Sequence, residues 1–164
     1  MEIIDLYNEK KEKLGKTFIR HHDKLLENEY YLLETGWIIN DRNEILLTRR
    51  SFNKSHGGMW EATAGHVKTD ETDLEGIQRE IQEETGLEIK KEDFIFIKSY
   101  IKKNAIHDVW LAKGNYTIKD VKIDNEEVIE AKFVTIDEFK TMLKNGEIIE
   151  SLSYFIDIYP NYIN

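Results

Sequence analysis

The sequence predicts an α/β protein, and three observations carry that reading. Residues 73–85 bear a complete helix signature. Two pairs of strand-length apolar runs, 29–40 with 44–50 and 94–101 with 106–113, are each separated by turn residues, and a second helix signature opens at Thr135. Capped helices interleaved with hairpin-like strand pairs are the material of a layered α/β domain. At 164 residues, 40% hydrophobic and 34% charged, the chain is long enough to bury a sizeable core.

Taken in order, residues 3–7 and 16–20 alternate as two short strands joined by the polar Asn8–Gly15 turn, so the N-terminal arm, 1–28, reads as a hairpin suited to a dimer contact or a substrate lid. His21 and His22 read as loop histidines, because adjacent side chains point apart in any regular element. Glu29–Asn40 is a strand rich in aromatic and aliphatic residues, Asp41-Arg42-Asn43 supplies a turn, and Glu44–Arg50 returns as the second strand of a hairpin. Ser51–Gly58 is a loop, and Met59–Ala64 a short strand.

Thr72-Asp73-Leu74-Glu75 has the T-x-x-E form in which two side chains satisfy each other's backbone N–H groups at a helix start. Leu74, Ile77 and Ile81 then form one apolar stripe, and Gly86 falls where a left-handed cap ends a helix. Phe94–Ile101 and Ile106–Lys113 form a further hairpin, with Tyr100 and Trp110 available to stack on a base. Lys132-Phe133-Val134 is strand-like. Thr135–Glu138 opens a helix to about Lys144, and Ile148–Tyr159 has helix-compatible spacing with Pro160 as a stop. No repeat or linker interrupts the chain, so 1–164 is expected to be one domain, with a C-terminal helical part at 135–164.

Composition narrows the function. A net charge of −9 argues against a broad footprint for bulk nucleic acid, though it allows a nucleotide whose phosphates are met by a metal and a few basic side chains. The absence of cysteine excludes disulfides, thiolate metal sites and a cysteine nucleophile. No apolar run approaches the ~18 residues of a membrane span, so the expectation is a soluble, cytoplasmic protein with no membrane partner.

The chemistry is concentrated in Gly65–Leu87. Glu80, Glu83 and Glu84, at i, i+3 and i+4, place three carboxylates on one helix face, where they repel each other unless a hard divalent cation turns repulsion into coordination. Mg²⁺, held by one or two carboxylates with substrate phosphates completing its shell, suits such a cluster. The full spacing is Gly65, Glu71, Arg79-Glu80-Ile81, Glu83-Glu84 and Gly86-Leu87, nine fixed residue types over 23 positions.

That spacing resembles the Nudix box at every defined position. The resemblance implies an α/β/α sandwich with a mixed central β-sheet. It also implies a metal-dependent hydrolase of compounds in which a nucleoside diphosphate, or a similar small diphosphate, is linked to another group. It assigns Mg²⁺ or Mn²⁺ to Glu80, Glu83, Glu84 and the Gly65 carbonyl, an orienting role to Arg79, a supporting one to Glu71, and the general base to Glu80, Glu83 or, off the helix, Glu127, with Glu126 its nearest rival. Arg49, Arg50 and Lys54 are the expected substrate contacts. Since strand neighbours face opposite ways, at most one of the two arginines reaches a given pocket.

The stretch LLTRRSFNKSHGGMWEATAGHV also resembles the isopentenyl-diphosphate isomerase branch of the superfamily. That isomerase uses a cysteine just before the box, which this chain lacks, so a hydrolase is the better expectation. A non-catalytic diphosphate-binding module is the alternative; the complete set of acidic positions favours catalysis.

Overall fold

The structure is a computed structural model that describes residues 1–164. Its elements are β1 (Ile3–Tyr7), β2 (Lys13–Ile19), β3 (Tyr31–Asn40), β4 (Ile45–Arg50), β5 (Trp60–Glu61), β6 (Thr63–His66), α1 (Asp73–Thr85), β7 (Phe94–Lys102), β8 (Ala105–Gly114), β9 (Val128–Val134), α2 (Ile136–Lys144) and α3 (Phe155–Ile158). β3 is the axis of the molecule. It runs parallel to β8 from Tyr31 opposite Ala105 to Asn40 opposite Gly114, and antiparallel to β4 and β6. β7 continues the sheet beyond β8, while β5 and β9 both pair with β4. The sheet is therefore mixed.

Alternation along β3 sorts its side chains between two layers. Trp37 and Ile39 join Leu47, Leu111, Phe139 and Phe155 in the core beneath α2 and α3, where Trp37 stacks on Phe155 with ring centroids 3.7 Å apart. Ile38 joins Ile77 and Ile81 of α1 on the opposite face. Each such buried side chain contributes roughly 1.5–3 kcal/mol. Helices on both faces of a mixed sheet make the α/β/α sandwich.

α1 spans the residues its signature predicts. Thr72 accepts from the Glu75 N–H while Glu75 accepts from the Thr72 N–H, and Gly86 closes the helix at φ 72°. The β7–β8 hairpin likewise forms, with a bulge between Phe96 and Lys98. Four elements differ from expectation, the first being β2, which begins at Lys13, inside the expected Asn8–Gly15 turn, because Lys13 already pairs with Tyr7. The strand expected over 59–64 breaks at Ala62, because β5 pairs with β4 whereas β6 crosses to β3. The hairpin joining β3 and β4 keeps little of its own ladder, since β6 takes the facing edge of β3 and β5 that of β4. The tail is not one helix: 3₁₀ turns at 150–152 and 159–161 flank the four residues of α3, and Pro160 lies inside the last turn.

β1 and β2 form a separate two-stranded sheet. It is tied down by Tyr7 and Tyr30, which exchange backbone hydrogen bonds, and by the Thr69 N–H donating to the Ile3 carbonyl. No helix is long and apolar enough to cross a membrane.

Candidate active site

A cleft of about 740 Å³ opens along the edge of α1 and the strands that precede it. Glu80 and Glu83 line it from the helix, Gly65 from β6, Arg50 and Glu61 from β4 and β5, Lys54 from the loop after β4, and Glu127 from the segment before β9. Long-range pairing thus gathers residues spread over much of the sequence.

Arg79 organises the acidic face. Its Nε and one terminal nitrogen grip Glu71 at 2.5 and 3.0 Å, and the other terminal nitrogen meets Glu80 at 2.7 Å and Glu83 at 3.2 Å. A further bond to the His66 carbonyl fixes the guanidinium against β6. Burial opposes the charge on Arg79, yet Glu71 and Glu80 hold its pKa above the usual arginine value. Glu71, despite its own burial, is kept below the ordinary carboxylate range by Arg79 and the Lys68 N–H.

Gly65 is required by close approach: a Cβ there would lie 2.1 Å from Glu80 Cδ. β6 and α1 therefore touch where the box residues meet. Glu80 and Glu84 are only 8% and 6% exposed. Burial raises the pKa of Glu80, offset in part by Arg79. Burial drives Glu84 well above the carboxylate range, with Glu61 and Glu80 adding to the rise. One oxygen of Glu84, Oε2, is buried with no hydrogen-bond partner. A buried anionic oxygen without a donor is the feature a hard cation would satisfy, and a donor set made only of carboxylate oxygens matches the preference of Mg²⁺ or Mn²⁺. On those two grounds the residues fit a divalent metal.

Glu127 Oε2 accepts from Lys54 Nζ at 2.7 Å, and the Glu127 carbonyl is anchored by the Ser51 N–H. Arg50 meets Glu61 at 2.7 Å and the Ser55 carbonyl at 2.7 Å. Arg49, expected beside the substrate, lies outside the cleft. Alternation turns it to the other face of β4, where it bonds the Gly58 carbonyl and Glu130 and covers the rings of Phe52 and Trp60. Trp110 is likewise turned away, onto the α1 face, whereas Tyr100 lines the cleft and stacks on His107 at 4.8 Å.

Several lining residues had no sequence signal. Glu61 is buried, and its burial raises its pKa against the pull of Arg50. Its place two residues after Met59 gives no hint that β5 delivers it to Glu84. Met1, Glu2, Arg20 and His21 reach the cleft from the arm, and Lys68 from the turn before α1. His66 packs against Tyr31 with the two rings tilted, and burial pushes its pKa down to about 4.

A mixed sheet between helices carries a loop and helix that set glutamates along a cleft. A family model for the NUDIX domain matches residues 34–152. An uncharacterized Nudix hydrolase of Listeria monocytogenes is 32% identical over 151 residues, covering 91% of this chain and 89% of its own. The isopentenyl-diphosphate Δ-isomerase of an Enterobacter species is 28% identical over 145 residues, covering 82% and 77%. The crystal structure of DR0079 from Deinococcus radiodurans superposes with a TM-score of 0.75 across 98% of both chains at 20% identity, a likeness of fold. The chain belongs to the Nudix family and is an enzyme, a pyrophosphohydrolase of that family.

Proposed function

We propose that the protein hydrolyses a phosphoanhydride bond in a nucleoside diphosphate linked to another group, with Mg²⁺ or Mn²⁺ held by Glu80, Glu83, Glu84 and the Gly65 carbonyl. The observation that carries this reading is the unpartnered, buried Glu84 Oε2 beside two further buried carboxylates, Glu80 and Glu61. The cation supplies charge neutralisation to the diphosphate and acidifies water. Arg79 acts by holding Glu80 and Glu83 in place. Arg50 and Lys54 neutralise the outer phosphate oxygens, Arg50 with the bidentate geometry a guanidinium offers.

Glu127 is the carboxylate we assign to take the proton from the attacking water. It is exposed, is fixed by Lys54 and belongs to none of the groups that Arg79 holds. Glu80 and Glu84 are buried among other carboxylates, a setting that suits ligation better than proton exchange with solvent. The arm, with Arg20 and His21 at the cleft, acts as a lid over bound substrate.

The test is a panel of nucleotides and nucleotide-linked diphosphates with Mg²⁺ or Mn²⁺, read by product identity. Release of a nucleoside monophosphate or phosphate, stopped reversibly by a chelator, is expected. No product from any compound, or turnover that survives the chelator, overturns the reading. Isopentenyl diphosphate serves as the isomerase control, and no proton exchange is expected on it.

A further inference from the structure

A second acidic cluster lies on the other face of β3. Leu33 and Thr35 line the cleft, so the intervening Glu34 projects toward α1. The parallel register sets Asp108 of β8 beside it, and Asp73, the first residue of α1, comes down over both. Each of the three carboxylates brings an oxygen within 4.8 Å of the others. Glu34 and Asp108 are 0% exposed, and Glu34 Oε1 and Asp108 Oδ1 have no hydrogen-bond partner.

The donors that do reach the cluster serve the other oxygens. Trp110 Nε1 donates to Glu34 Oε2, and Lys11 Nζ bridges Asp73 Oδ2 and Asp108 Oδ2. Lys11 is not part of the main sheet. It extends from the turn between β1 and β2, with its backbone at φ 61°, and its side chain is one-third exposed. It is a compact cation on a flexible stem, at a point where three acidic groups converge.

We propose that Glu34, Asp73 and Asp108 form a second divalent-cation site, separate from the box, whose cation position the Lys11 ammonium holds until an ion displaces it. An all-oxygen carboxylate set selects a hard ion such as Ca²⁺, Mg²⁺ or Mn²⁺. An ion engages the two oxygens left unpaired, because a divalent cation takes six or more oxygen ligands, whereas the Lys11 ammonium reaches only one oxygen each of Asp73 and Asp108. Asp73, one-third exposed, provides the approach from solvent. When the ion enters, Lys11 swings out and the tip of the arm is released from α1.

The test uses full-length protein whose box is silenced by Glu80→Gln, Glu83→Gln and Glu84→Gln, titrated with Mn²⁺ while free ion is followed by electron paramagnetic resonance. One bound Mn²⁺ per chain is expected, weakened at least tenfold by Asp108→Asn and tightened at least tenfold by Lys11→Met. The Trp110 indole N–H resonance should broaden away at lower Mn²⁺ than that of Trp37, which is bonded to Tyr154 on the other face of the sheet and lies farther from the ion. This second readout needs no substitution in the cluster. A silenced chain that retains no Mn²⁺, an ion indifferent to Asp108→Asn, or an unbroadened Trp110 signal overturns the proposal and leaves a shared proton between Glu34 and Asp108 as the occupant.

Discussion

α1 carries carboxylates at both ends, and the two ends handle them in opposite ways. At the N-terminus, Asp73 meets Glu34 and Asp108 in a closed space, and the positive charge comes from Lys11 on a separate hairpin. In the C-terminal half, Glu80 and Glu83 border an open cleft and take their positive charge from Arg79 within the same helix, while Glu84 is buried behind them with one oxygen unpartnered. A helix favours anions at its N-terminus and disfavours them at its C-terminus. Glu83 and Glu84 occupy that disfavoured end, and no basic residue lies in the last turn. The box thus holds its acids against the helix dipole: Arg79 relieves Glu80 and Glu83, and Glu84 is left with no basic partner. The difference teaches that the end of this helix proposed to hold the catalytic metal is the one at which the dipole preference is broken.

The largest effect should come from removing the least compensated charge. Glu84→Gln should lower metal-dependent kcat/KM by about 10³-fold or more, the several kcal/mol a metal contributes converted at about 1.4 kcal/mol per tenfold. Its melting temperature should be unchanged or raised, because a buried carboxylate without a donor destabilises the fold. Turnover at the parental rate would break the contrast between the two ends.

Arg79 comes next. Arg79→Lys keeps the charge but loses the fork that spans Glu71, Glu80 and Glu83, and should cost about 10–100-fold in kcat, as loss of a residue that orients metal ligands does. Full activity in Arg79→Lys would mean that charge alone suffices. A paired test separates the neighbouring arginines: Arg50→Ala should raise KM about 10–100-fold, equivalent to the roughly 1.5–3 kcal/mol of a charged hydrogen bond. Arg49→Ala should leave KM within about threefold and lower the melting temperature through its lost packing on Phe52 and Trp60.

What was legible in the sequence follows the same division. α1 was readable to the residue because its cap, stripe and stop are local: Thr72, Ile77 and Gly86 state them within one segment. The box spacing was equally local. Arg49 could not be told from Arg50, since both are cations on one strand and only pairing with β5 and β9 decides which faces the cleft. Glu61 was invisible for a related reason, as the break at Ala62 that delivers it depends on two different partner strands. Glu34 and Asp108 sit inside apolar runs 74 positions apart and meet only because β3 and β8 are parallel, a pairing no short-range signal encodes.

The smallest effect lies at the favoured end of the helix and checks the dipole argument directly. Glu75 is in the first turn, where it accepts from the Thr72 backbone N–H and pairs with Lys91, and together these pull its carboxyl down to about 2 from the ordinary 4.5. Because the folded-state pKa is depressed, the folded chain binds fewer protons than the unfolded chain between those values. The contribution of Glu75 is therefore fully present above pH 4.5 and is lost as pH falls toward 2. Melting curves of the parent and Glu75→Gln should differ by a small, salt-sensitive margin at pH 7 and converge as pH approaches 2, with turnover at pH 7 unaltered. A margin constant across that range would assign the effect to hydrogen-bond geometry, which glutamine partly keeps, and would remove the helix end's preference for negative charge as the reason the two termini of α1 behave differently.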